Sequence, residues 1–472
     1  MISTTESNGG ATASAPYDPK RFDWPLAFPA EQFLVERIGQ FLANNSFAAK
    51  LAARMRDETA TDFFEWVDHL VVSPDDEATL RANGFVTDEV EAAPGDLVLH
   101  HPRATLPRVI IRAGQKQSPS VLALRPEFVA DFIARHNLPG EIEGEPFSQF
   151  RRVLVNEENG TRVEAVERRA YRGFLTAPLK PGQLPAILKA KEVWKTRQRL
   201  FANDAEGVAL AKQLLNESLK LVGRDQTCQI FFEEERAYWE NRNRAARIQK
   251  FRQDQLGLGW GNHDHHTFRC SREYFVDLIG FLLALGFEKR ERYYAGAEAG
   301  WGAQISEQPL VGITVFADVD LMPDETQLDF SSHRLPPAPK LGTVGLWCGL
   351  HGESFLGAGM HHLEARFDYA LLREQLKVEG INTMNPFSNF EFLKQAFTEG
   401  ERWTVNRERA EKLLAAKLIT PEQFEKFMKE GALGSHLENL QRHGGFKGFN
   451  QKSVSVVISA TDPRREHFAA AH

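Results

Sequence analysis

The sequence predicts an α+β protein built as a tandem duplication. Three observations carry that reading. Candidate strands and helices follow one another as strand–helix–strands units in series, which favours α+β over a doubly wound sheet. Two stretches about 200 residues apart, beginning at Ala48 and Ala245, share one order of features. Eleven of the fifteen histidines lie after residue 260, so the second half is expected to carry the chemistry.

Composition excludes several classes. A chain of 472 residues that is 42% hydrophobic and 26% charged can bury a sizeable core. Length alone allows roughly three domains. The net charge of −7 argues against a nucleic-acid partner held by a bulk positive field. No run of about 18 uncharged apolar residues occurs, so no membrane partner is expected. The longest apolar run, Phe275–Phe287, is broken by Asp277 and reads as a buried helix. Residues 1–22 lack the basic and apolar regions of a secretory signal, and their Ser, Thr, Gly and Ala content predicts a disordered tail. Cys228, Cys270 and Cys348 are far apart and form no CxxC. Neither a disulfide framework nor a zinc-thiolate site is expected, and a cytoplasmic location fits. No GxGxxG, P-loop or GxSxG is present.

In chain order, the spacing predicts strands over Trp66–Val72, Leu97–His101, Arg108–Arg112, Phe150–Val155 and Arg162–Val166 in the first half. In the second half it predicts them over His265–Arg269, Gly312–Ala317, Val344–Cys348, Met360–Phe367 and Ser453–Ser459. Helices are predicted over Glu31–Leu42, Val208–Val222, Arg272–Leu285, Ala370–Glu379 and Pro421–Glu430. The last has Thr420 as N-cap and proline in its first turn.

The repeat is read from shared order. Each half has a basic helical stretch, then Asp-His opening a strand, then a helical stretch closed by Gly-Phe (Gly84-Phe85; Gly286-Phe287). A Pro-led apolar strand follows near Pro107 and Pro309. Later come Glu164, Arg168 and Gly173-Phe174 in one half, and Glu438, Arg442 and Gly448-Phe449 in the other. The expected division is a tail over 1–22, a first half over 23–184, a helical connection over 185–247 and a metal-binding half over 248–472.

The candidate chemistry lies in three segments. On the strand His265–Arg269, side-chain alternation puts His265, Thr267 and Arg269 on one face and His266 and Phe268 on the other. His265 and Arg269 are then about 13 Å apart at Cα, which leaves room for a small ligand between a metal and a guanidinium. Arginine forks suit a substrate carboxylate. A solvated strand face is the bland alternative. In the segment Met360–Phe367, His361 falls on the apolar face and reads as a core histidine, whereas His362, Glu364 and Arg366 share the polar face. A salt-bridged exposed strand is the competing reading. The segment Ser435–Arg442 offers Glu438, or else an ordinary helix end with Glu438 and Arg442 as an i,i+4 pair. Two histidines and one carboxylate with open positions are the pattern of non-haem Fe(II) oxygenases. Mn, Co, Ni or Zn could use the same ligands.

At these residues the second half resembles the 2-oxoadipate dioxygenase/decarboxylase family of the vicinal oxygen chelate superfamily. Gly-Asn-His-Asp-His265-His-Thr-Phe-Arg269 matches that family's opening strand, Asn-Asp-His-x-x-Phe-Arg. ERAYWENRNRAARIQKF is similar to its leading helix, and HHLEARFDYALLREQLKVEGINTMN follows its second histidine strand, with His362 at the ligand position. HLENLQRHGGFKGFNQKSVSVVISATD follows its carboxylate segment, with Glu438 at the ligand position and Ser453 at the start of the last motif. The aromatic residues that precede the family's glutamate are replaced by His436 and Leu437. The resemblance covers roughly Gln229–Arg465.

The resemblance implies tandem vicinal-oxygen-chelate-like βαβββ modules that form curved mixed sheets with flanking helices. It implies Fe(II) held by His265, His362 and Glu438, with Glu364 as an alternative ligand. Arg269 and Ser453 would contact substrate. The implied reaction takes a 2-oxo acid and O2 to CO2 and a hydroxy acid, as 2-oxoadipate gives 2-hydroxyglutarate. Another vicinal-oxygen-chelate metalloenzyme, such as an extradiol-type dioxygenase or an isomerase, and a non-catalytic homologue remain as alternatives. The first half reads as a decayed copy. It keeps Asp68-His69 and Glu164, has Ser73 in place of the arginine, and has no histidine between residues 102 and 135. His69 is therefore expected to be structural.

Overall fold

The computed structural model describes residues 22–116, 118–261, 265–294, 300–357, 359, 365–449 and 461–465. In the first half, β1 (Val67–Val72), the helix Glu77–Ala82, β2 (Val86–Thr87), β3 (Asp96–His100) and β4 (Arg108–Arg112) follow in sequence. They pair in the order β2-β3-β4-β1, with β1 parallel to β4 and the remaining pairs antiparallel. This is a βαβββ unit. A shorter version follows: β5 (Val121–Leu124), the helix Val129–Arg135, β6 (Phe150–Glu158) and β7 (Thr161–Arg168), with β5 parallel to β7. Antiparallel pairing of β1 with β5 fuses the two units into one seven-stranded sheet.

The second half repeats the plan. β8 (His265–Arg269), the helix Phe275–Ala284, β9 (Glu288–Tyr294), β10 (Trp301–Gln308) and β11 (Ile313–Asp320) pair in the order β8-β11-β10-β9, with β8 parallel to β11. Then come β12 (Ala365–Arg366), the helix Tyr369–Val378, β13 (Ser388–Phe390) and β14 (Leu393–Phe397). After an insertion, β17 (Glu438–Arg442) closes the order β12-β17-β14-β13. The insertion holds β15 (Glu401–Trp403), two helices (Arg407–Ala415 and Pro421–Glu430) and β16 (Ala432–Ser435). The chain is therefore α+β, with repeated βαβββ modules in mixed sheets, as the sequence predicts. Thr420 caps Pro421–Glu430 through a reciprocal capping box with Gln423.

Alternation within the strands places the cores. Leu70, Val109, Leu122 and Val163 face the helices Phe28–Asn44 and Ser46–Arg54. On β8 and β11, Phe268, Val315 and Ala317 face the helix Phe275–Ala284. The helices Gln183–Thr196, Asp204–Val222 and Arg224–Glu240 add Trp194, Leu215, Phe231 and Phe232 to that same core. The halves also bond to each other directly. Glu31 accepts the N–H groups of Gly444 and Gly445 at 2.8 Å each, and Thr105 N–H donates to Gly445 O at 2.8 Å. Gly445 has φ +55°, and a Cβ there would lie 2.9 Å from Ala104 and Leu106, so glycine permits the close approach.

Two sequence readings are corrected. Val344–Cys348 is not a strand but part of a helix, Thr343–His351. A short apolar run does not distinguish a buried strand from a buried helix, and the cap that decides the matter is remote. Asp320, at the end of β11, accepts the N–H groups of Gly342, Val344 and Gly345 at 2.7–3.1 Å. Ser435–Arg442 is not a helix end, because Glu438–Arg442 is strand β17, paired on both sides. The predicted strand Ser453–Ser459 and most of Met360–Phe367 fall outside the described residues. Among the described residues, no helix is long and apolar enough to cross a membrane.

Candidate functional site

Strand β8 divides its side chains as alternation requires. His266 and Phe268 turn into the core, where both rings pack on Phe232. His265, Thr267 and Arg269 take the other face, in register with Thr314, Phe316 and Asp318 of β11. The His265 ring is enclosed by Phe316 at 4.8 Å and by the edge of Phe449 at 5.8 Å between centroids.

Glu438 begins β17 in the other sheet, yet its Oε2 lies 3.3 Å from His265 Nε2, with the two side chains 4% and 3% exposed. Gln395 on β14 donates Nε2–H to Glu438 Oε1 at 3.0 Å, which leaves Oε2 turned towards the imidazole. Two ligands each about 2.1 Å from one ion and at right angles stand about 3 Å apart, so the 3.3 Å spacing fits a shared divalent ion as well as a direct imidazole–carboxylate contact. The structure thus brings two of the three expected ligands together. His362, Glu364 and Ser453 lie outside the described residues. Among the described residues, no group of three or more His, Cys, Asp or Glu side chains is arranged around one ion.

Arg269 is buried on the same face. Its guanidinium donates from Nη2 to Thr461 Oγ1, while its Nε is buried and meets no acceptor among the described residues. Burial lowers its pKa, and Asp318 opposes that shift. An incompletely satisfied buried guanidinium suits an anionic ligand.

Asp318 shares this face, and sequence reasoning missed it. It lies opposite Arg269 across the β8–β11 pair. Burial pushes its carboxyl up to about 7, against the pull of Arg269 and His265. The segment Phe316–Asp320 alternates Phe, Asp and Asp with Ala and Val. That pattern marks a polar strand face beside an apolar one and could have drawn attention to Asp318.

The first half shows the same architecture with a different set of side chains beside its histidine. The Phe174 ring packs edge-on against His69 at 4.9 Å, as Phe449 does against His265. His69, Ala123 and Glu164 form one row across β1, β5 and β7, so alanine occupies the middle position. His69 Nδ1 lies 2.8 Å from Asp68 Oδ2, and Arg168 holds the same carboxylate with two hydrogen bonds of 2.8 and 2.9 Å. Burial lowers the His69 pKa despite Asp68. His69 thus has a neighbouring acceptor and a packed ring, the geometry of a structural histidine.

Neither a protein-family model nor a curated protein matches the chain. Among solved structures, a variant of 4-hydroxymandelate synthase from Streptomyces coelicolor aligns at 13% identity over 85% of this chain and 98% of its own, with a TM-score of 0.28. Methylmalonyl-CoA epimerase from Mycobacterium tuberculosis aligns at 10% identity over 38% of this chain and 87% of its own, with a TM-score of 0.22. Glyoxalase I from Zea mays aligns at 16% identity over 23% of this chain and 44% of its own, with a TM-score of 0.17. At these scores the likenesses carry no weight for fold or function.

Proposed function

We propose that the chain is a vicinal-oxygen-chelate enzyme, a mononuclear non-haem Fe(II) dioxygenase that decarboxylates a 2-oxo acid. The substrate is 2-oxoadipate-like, and the products are CO2 and a 2-hydroxy acid such as 2-hydroxyglutarate. The observation that carries this reading is the 3.3 Å approach of His265 Nε2 to Glu438 Oε2 from strands of different sheets. Added to it is the sequence pattern that supplies His362 as third ligand.

His265 and Glu438 would hold the metal with His362, and Glu364 is the alternative carboxylate. When bound, Fe(II) supplies Lewis acidity, a template for the 2-oxo carboxylate and one-electron chemistry with O2. The protein does the rest. Gln395 fixes which Glu438 oxygen faces the site, the role that outer hydrogen bonds play around metal ligands. Phe316 and Phe449 pack round the imidazole and exclude water from it. Arg269 binds the substrate's remote carboxylate, and Ser453 makes a secondary contact. Asp318 limits the net positive charge beside Arg269 when the pocket is empty.

The test is metal content together with turnover. Purified protein should hold about one iron, and His265→Ala, His362→Ala and Glu438→Ala should each lose it, with Glu364→Ala as the control for the alternative ligand. Oxygen uptake and CO2 release should rise together on some member of a panel of 2-oxo acids. Stoichiometric iron in all three variants would remove the ligand set. Absence of oxygen uptake with every 2-oxo acid of the panel would remove the reaction.

A further inference from the structure

The first half holds a feature that the proposed reaction does not use. A cavity of about 560 Å3 opens where its sheet meets the second half, lined by six Lys or Arg side chains against four Asp or Glu. His265, Arg269 and Glu438 do not line it.

The charges there do not balance locally. Arg108, Arg125 and Arg168 crowd round one carboxylate, that of Asp68. Arg168 takes it with two hydrogen bonds, and His69 takes a third. Arg108 donates Nη1–H to the Arg172 carbonyl, but its Nη2 stands 3.8 Å from the carboxylate, with the guanidinium carbon 4.4 Å from the centre of the Phe174 ring. Burial lowers the Arg108 pKa to about 9, helped by Arg168, so it is still charged at neutral pH. The Arg125 guanidinium has no hydrogen bond or ion pair among the described residues and lines the cavity. Its pKa too is lowered by burial. Two half-buried cations thus have only Asp68, already held by Arg168, and Asp88, already paired with Arg172, as nearby anions, which is costly unless a further anion enters.

We infer that this cavity binds a small organic acid carrying two or more carboxylates, held by Arg108 and Arg125. Guanidinium forks match planar carboxylates. Leu106, Pro309 and Leu310 supply apolar lining that suits the carbon chain between carboxylates and offers nothing to a bare phosphate. The inference does not depend on the proposed reaction.

The test uses the full chain. Thermal shift and calorimetric titration are run with tricarballylate, succinate and inorganic phosphate at constant ionic strength. Tricarballylate is chosen because it lacks the hydroxyl that makes citrate a strong chelator. Tricarballylate should raise Tm and bind, and Arg125→Ala should weaken that binding at least about tenfold. Because the Arg125 guanidinium has no described partner, the substitution should leave the unliganded Tm unchanged or higher. Arg269→Lys should leave tricarballylate binding intact. The inference is overturned by no tricarballylate-dependent shift, by an equal shift in Arg125→Ala, by loss of binding in Arg269→Lys, or by phosphate binding as tightly as tricarballylate.

Discussion

Asp68→Asn should unfold this protein far more easily than its surface chemistry suggests. The side chain keeps its size and loses only its charge. Asp68 and Arg168 are each 4% exposed on their side chains, so solvent screens little of their interaction. The carboxylate takes 2.8 and 2.9 Å bonds from Arg168, and the neighbouring guanidinium and His69 hold its pKa well below the ordinary range despite burial. Asparagine retains one acceptor oxygen, loses one charge-assisted bond worth about 1.5–3 kcal/mol, and leaves a buried guanidinium, still bonded to the Gly173 carbonyl, without its counter-charge. The expected loss is about 3–5 kcal/mol, a large share of the roughly 5–15 kcal/mol of a typical protein. Urea unfolding followed by tryptophan fluorescence measures it. Because the folded-state pKa is depressed, the contribution is present above the unfolded value of about 4 and disappears as pH falls below it. Wild type and variant should therefore converge in acid. A loss under about 1 kcal/mol at pH 7, or strict additivity with Arg168→Met, would show that the pair is not coupled as described.

Three further outcomes are expected. Phe174→Ala should cost about 3–5 kcal/mol by leaving a hole beside His69, read as a lower urea midpoint. Asp320→Ala frees three helix N–H groups and should cost about 1–3 kcal/mol, with Asp320→Asn recovering part of the lost thermal stability. Asp318, raised from 3.8 to about 7, makes the folded state lose stability as pH rises from about 4 to 7, by about 4 kcal/mol in all. Asp318→Asn should flatten that slope, and an unchanged slope between pH 5 and 8 would remove the assignment.

The repeat was legible because each copy keeps its punctuation. Asp-His opens a strand, Gly-Phe closes a helix, and a second Gly-Phe delivers the ring that covers the histidine. The polar strands were not legible. β9 reads Glu-Lys-Arg-Glu-Arg-Tyr-Tyr and hides buried Arg290 and Glu291, which satisfy each other at 2.9 Å. β17 reads Glu-Asn-Leu-Gln-Arg and shows no apolar period, because its pairing partners rather than its own side chains hold it in place. The helix Thr343–His351 takes its cap from β11, so no local signal marks its start. His265 and Arg269 were found from alternation along one strand. Asp318 was missed because it belongs to the same face only through the neighbouring strand.

Repetition in the sequence does not make two independent proteins here. The first half's Glu31 closes the Gly444-Gly445 turn of the second half. The Asp368 N–H donates to Ala60 O at 2.9 Å. The helices between the halves bury Trp194, Phe231 and Phe232 among residues of the second. A fragment starting at residue 248 would leave the apolar seat of those three rings open to water, and one ending at residue 184 would lose the partners of Glu31 and Ala60. The first half is therefore part of the frame in which the second is held. Each half is thus expected to melt with the other, in one unfolding transition.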